Sequence, residues 1–97
     1  MLPGDLGSLP FFHGNVSGED AYSLLYELAV GTFLVRQSSR EGHFVVSWVQ
    51  SPQVVVHTLM SFEPPSTWTL EGDSKPYASA TSLFYEYSHS FKVPLAH

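Results

Sequence analysis

The sequence has no cysteine and only four basic residues, Arg36, Arg40, Lys75 and Lys92, against nine acidic ones. Without cysteine there is neither a disulfide framework nor a thiolate metal cluster, so a chain of this size stands on packing alone, and a cytoplasmic setting is expected. A formal net charge of −5 and a charged fraction of 13% argue against a general binder of nucleic acid or of acidic membranes, which would carry clustered Lys and Arg. No apolar run approaches the length of a membrane span, and the start, Met1-Leu2-Pro3-Gly4-Asp5, has no basic segment followed by a long apolar one. What is present is 97 residues with 43% hydrophobic and 14% aromatic content, enough for one modest core.

Residues 1–10, rich in Pro, Gly and Ser, read as a lead-in segment, and Phe11 and Phe12 mark where packing should begin, so that 11–97 form the domain proper. Ser17 is a good N-cap with Glu19 and Asp20 behind it, and Ala21, Leu24, Leu25 and Leu28 make the stripe of an amphipathic helix that ends before Gly31. Three strand-like runs follow, Thr32 to Gln37, Phe44 to Val49 and Val54 to Met60. Their connections are too short for parallel crossovers, so they form an antiparallel meander. Consecutive apolar residues at 33–35 and 54–56 imply a sheet covered on both faces. After a Pro-Pro turn and a short strand, Thr67 to Leu70, Ser79 caps a second helix carrying Ala80, Leu83, Phe84 and Tyr87. The expected fold is α+β, with a central antiparallel β-sheet flanked by two α-helices, one on each face.

Arg36 is the only cation in the run Gly31-Thr32-Phe33-Leu34-Val35-Arg36-Gln37-Ser38. A guanidinium in mid-strand loses water on folding, and that loss is costly without an anionic partner. No carboxylate lies near it on the same strand, and Ser38, Ser39, Arg40 and Gly42 form a donor-rich turn suited to a phosphate.

Phe11-Phe12-His13-Gly14-Asn15-Val16-Ser17, then Ala21 with Leu24-Leu25, then the Arg36 strand resemble the first half of a Src homology 2 (SH2) domain in order and spacing. Gly42-His43-Phe44-Val45-Val46-Ser47, Val56-His57-Thr58 and Leu83-Phe84-Tyr85-Glu86-Tyr87-Ser88 extend the resemblance over Phe11 to Leu95. Leu9-Pro10-Phe11-Phe12 and Leu34-Val35-Arg36-Gln37-Ser38 look nearest to the amino-terminal such domain of the spleen tyrosine kinase group. The resemblance implies a non-catalytic signalling module that binds a phosphotyrosine-containing segment of a partner protein, without cofactor or metal, as a monomeric part of a larger protein. It implies that Arg36 pairs two phosphate oxygens, that Ser38 offers a hydroxyl, that Ser39, Arg40, Glu41 and Gly42 fold over the phosphate, and that His57 orders the pocket. Ser39 is equally at home in an ordinary hairpin connector, and His57 reads as partly structural. Thr58 and Leu59 stand where the family shapes its platform for the residues after the phosphotyrosine.

Two positions depart from the family pattern. Gly18 stands where many relatives carry a phosphate-holding arginine, and Leu59 where others place a lysine. Arg40 either swings onto the phosphate in their stead or stays a solvated loop residue. After Tyr87-Ser88 the segment His89-Ser90-Phe91 is shorter than the loop that usually walls the downstream pocket. A rival reading, a degenerate relative kept as a scaffold or packing element, draws on the missing charges and is opposed by the retained Arg36 and Ser38. An enzyme is opposed by the lack of a Gly-x-Ser-x-Gly elbow, a His-Glu-x-x-His pair or a Gly-rich nucleotide loop.

Overall fold

The computed structural model describes residues 5–40 and 42–96, so Met1 to Gly4, Glu41 and His97 lie outside the described residues. A 3-10 turn, Leu6–Ser8, leads into α1 (Gly18–Leu25), β1 (Thr32–Gln37), β2 (His43–Ser51), β3 (Val54–Glu63), β4 (Thr67–Leu70), α2 (Ala80–Glu86) and β5 (Val93–Pro94). The sheet order is β4-β3-β2-β1-β5; β1 to β3 form the expected antiparallel meander, β4 extends it antiparallel to β3, and β5 pairs parallel with β1. This last strand has no sequence signal, because two residues are too few to show a period. It is admitted by Gly31, at φ +94°, where a Cβ would lie 2.9 Å from the Cβ of Lys92.

Strand alternation divides the core in two. Leu34 and Val49 face α1 and pack with its Ala21 and Leu25, while Phe33, Val35, Phe44, Val46, Met60 and Trp68 face α2 and pack with its Ala80, Leu83 and Phe84. On the α2 side Phe33 lies 4.9 Å from Phe11 and 5.4 Å from Phe84 between ring centroids, contacts worth about 0.5–1.5 kcal/mol each beyond area burial.

The expected helix stripe is half right. Ser17 Oγ accepts the Asp20 N–H at 3.0 Å as an N-cap should, and Ala21 and Leu25 are fully buried. Leu24 and Leu28, however, are exposed by 47% and 39%. The helix closes at Leu25, so a single i, i+4 pair covers its sheet-facing side; Leu24 sits about a quarter-turn away, and Leu28 lies beyond the helix. Packing also begins earlier than Phe11, because Leu6 is fully buried in the α2-side core.

The outer edge of β1 is closed by the segment ahead of α1: Val35 N–H donates to Phe11 O at 2.9 Å, His13 N–H to Val35 O at 2.7 Å and Gln37 N–H to Gly14 O at 2.7 Å. At the other side of the sheet β4 pairs with β3 only from Met60 to Glu63. Residues 54–58 of β3, which carry His57 and Thr58, therefore have no strand on their outer side among the described residues.

Candidate functional site

Arg36 pairs across β1 and β2 with Val45, and its strand neighbour Leu34 pairs with Ser47, which in turn pairs with His57 of β3. Leu34, Arg36, Ser47 and His57 thus share the α1 face of the sheet. Ser47 is fully buried, Arg36 half-buried and His57 exposed. Arg36 Nε donates to Ser47 Oγ at 3.1 Å, and Ser47 Oγ lies 2.7 Å from His57 Nδ1. The arginine nitrogen can only donate, so the Ser47 oxygen accepts from it; toward His57 the hydroxyl donates when the neutral ring carries its proton on Nε2 and accepts when the proton is on Nδ1. Although the residue as a whole is exposed, desolvation of the part of its ring turned in to Ser47, and then the charge of Arg36, hold the His57 ring below its ordinary range, which favours the neutral state.

The remainder of the Arg36 guanidinium faces a cavity of about 380 Å³ lined by Asn15, Val16, Ser17 and Gly18 on one wall and Arg36, Gln37, Ser38 and Ser39 on the other. Among the described residues no carboxylate lies within ion-pairing distance of it; the ion pair they contain is Lys75–Glu86, at 3.1 Å. Burial pushes the guanidinium down from its ordinary value, yet arginine keeps its proton throughout the physiological range. A cation half removed from water, held by one hydroxyl and open to a cavity, is an anion receptor in its chemistry.

Ser38 and Ser39 line this cavity, and Ser38 Oγ accepts the Arg40 N–H at 3.1 Å, which shapes the turn. Arg40 is exposed and its side chain is not part of the cavity lining; Glu41 lies outside the described residues. Leu59 is on the Arg36 face, opposite Val45, and its N–H donates to Glu71 Oε1 at 3.2 Å. Thr58 faces the other way. It accepts the Trp48 Nε1–H at 3.1 Å and helps line a second cavity of about 270 Å³ with Trp48, Leu70, Gly72, Tyr87 and Phe91. Thr58 and Leu59, adjacent in sequence, therefore serve opposite faces. Ser90 and Phe91 wall the second cavity despite the short segment that carries them. Tyr87, which lines this cavity, and Tyr77, ahead of α2, both donate their phenol hydrogens to Asp73 Oδ2, tying the loop after β4 to both ends of α2.

Sequence reasoning missed Ser47, which anchors Arg36, and Asn15, which lines the first cavity. Ser47 had a faint signal, since it is the one hydroxyl in the apolar stretch from Phe44 to Val49 and alternates onto the same face as Val45 and Val49. Asn15 had none, because only the path of the chain over β1 brings it there.

The family model of the SH2 domain matches residues 11–87. The chain is 35% identical over 79 residues, 79% of its length, to the tyrosine-protein phosphatase corkscrew of Drosophila virilis, of which it spans only 10%. Its fold is similar to the solution structure of the SH2 domain of a CRK/CRKL homologue from Monosiga brevicollis, with a TM-score of 0.80 and 29% identity, covering 92% of this chain and 88% of that one.

Proposed function

This chain belongs to the SH2 domain family, a non-catalytic signalling module that binds phosphotyrosine-containing segments of partner proteins, and we propose that Arg36 is the group on which its phosphate recognition rests. The observation that carries the proposal is the guanidinium itself: anchored through Nε by Ser47, free of acidic partners among the described residues, and open to the cavity beside α1. With Nε occupied, the Nη groups remain to grip two phosphate oxygens, each charge-assisted bond contributing roughly 1.5–3 kcal/mol.

Ser38 and Ser39 supply hydroxyls along the same cavity. His57 is linked to Arg36 through Ser47 and sits on the stretch of β3 whose outer side is open, where a peptide would lie. The half-buried Arg36 calls for a long, rigid side chain, so an aryl phosphate reaches the cation where the shorter phosphoserine does not. Past β3 the peptide meets the second cavity, where Trp48, Leu70 and Phe91 suit an apolar side chain. The chain performs no chemistry on the phosphate and acts as a monomeric module within a larger protein.

Calorimetry with one peptide in phosphotyrosine, phosphoserine and unphosphorylated forms tests this reading. The first is expected to bind with a Kd on the order of micromolar, about −8 kcal/mol, and the others far more weakly. Equal binding of all three would remove phosphate from the function.

A further inference from the structure

The first residue of α1 is a glycine whose backbone does not require one. Gly14, Gly31, Gly42 and Gly72 all have positive φ, and Gly18 does not. Within a helix glycine surrenders more conformational freedom than alanine would, so local structure argues against it here. The reason lies across the cavity. A Cβ on Gly18 would sit 3.2 Å from Nη2 and 3.7 Å from Cζ of Arg36. A Cβ at 3.2 Å is tighter than ordinary contact, so any side chain there requires the Nη2 end of the guanidinium to give by a few tenths of an ångström.

Arg36 is held from the other side as well, through Nε on Ser47 Oγ at 3.1 Å. With Nε held there, room for a Cβ has to come from a displacement of the Nη edge, the edge nearest α1. We infer that Gly18 is a positioning residue for the phosphate site, acting through Arg36: its missing side chain is the seat of the guanidinium. The inference rests on the phosphate role proposed for Arg36. It changes the meaning of the departure at this position. The absent side chain is not simply a lost clamp, because any side chain installed there requires the cation already in place to give way at Nη2.

The test compares the parent chain with Gly18→Ala and Gly18→Arg by thermal melting, by the NMR signal of the Arg36 Nε–H and by titration with phenyl phosphate, which probes the pocket without a peptide. Gly18→Ala is expected to melt no lower than the parent, since alanine is the better helix former. Its Arg36 Nε–H signal is expected to move and to exchange faster with water, and its Kd for phenyl phosphate to rise by about three- to tenfold, the scale of one weakened hydrogen bond. Gly18→Arg is expected to bind no tighter than the parent. An Arg36 Nε–H signal and a Kd both unchanged in Gly18→Ala, or a tighter Gly18→Arg, would overturn the inference. The Nε–H signal reads the seat without any ligand: if the parent itself ignores phenyl phosphate, the phosphate reading falls, and the seat stands or falls on that signal alone.

Discussion

Asp5 caps a helix that begins far from it in sequence: its Oδ1 accepts the N–H of Ala80, 75 residues downstream, at 2.9 Å. Its Oδ2 accepts the Thr81 N–H at 3.1 Å, and Ser79 Oγ takes the Ser82 N–H at 3.0 Å, so the free donors of the first turn of α2 are all used. Burial pushes the Asp5 carboxyl up, but the bonds from the Thr81 hydroxyl and from the Ala80 and Thr81 N–H groups outweigh it and hold it below its ordinary value. Asp5→Ala is expected to lower stability at neutral pH by about 0.5–2 kcal/mol, the usual loss for a removed cap, as read by urea unfolding. A carboxylate depressed on folding contributes fully above its unfolded value of 3.8 and loses that contribution as pH falls through the folded one, so the gap between parent and variant should close in strong acid.

Arg36→Lys tests the fork rather than the charge. Lysine keeps a cation but has no Nε–H to place on Ser47 and no paired Nη groups, so phosphopeptide affinity is expected to fall at least about 100-fold while the melting temperature stays near the parent's. Calorimetry that finds less than tenfold loss, about 1.4 kcal/mol, would show that point charge alone suffices.

His57 makes stability depend on pH in a definite direction. Its folded value lies below the ordinary 6.5, through burial first and the charge of Arg36 second. Well above 6.5 the ring is neutral in both states and contributes nothing to the slope. As pH falls from there through the lowered folded value, the unfolded chain binds more protons and the fold loses stability. Denaturation of the parent and of His57→Gln between neutral and mildly acid pH should show a steeper acid loss in the parent; parallel curves would mean the ring titrates alike in both states.

Arg40 is proposed to swing from its exposed loop onto the bound phosphate, replacing the charges absent at Gly18 and Leu59. Arg40→Ala is then expected to weaken phosphopeptide binding by about three- to tenfold and to flatten its salt dependence, as loss of one semi-exposed ion pair should. Affinity and salt slope both equal to the parent's would leave Arg40 a solvated loop residue.

Much of this was legible along the chain. Thr32 to Gln37 and Thr67 to Leu70 are strands where their composition placed them, and Ser17 and Ser79 cap the two helices. These features are set by neighbours within a few residues, through capping, alternation and short connections. Arg36 was legible for another reason: a lone cation in an apolar strand announces an unmet electrostatic need wherever the strand ends up.

The sequence by itself determined the α+β order of elements, the two-sided sheet and the mid-strand guanidinium that marks the site. Only the tertiary structure decided that Asp5 caps α2, that Leu6 joins the core while Leu24 does not, that Ser47 stands between Arg36 and His57, and that Gly18 leaves room for Nη2. Each of these is a contact between residues distant along the chain, and its geometry exists only after the sheet has set its register and the helices have docked on its two faces. Periodicity records which side of an element is buried; it carries nothing about which distant atom will be waiting there.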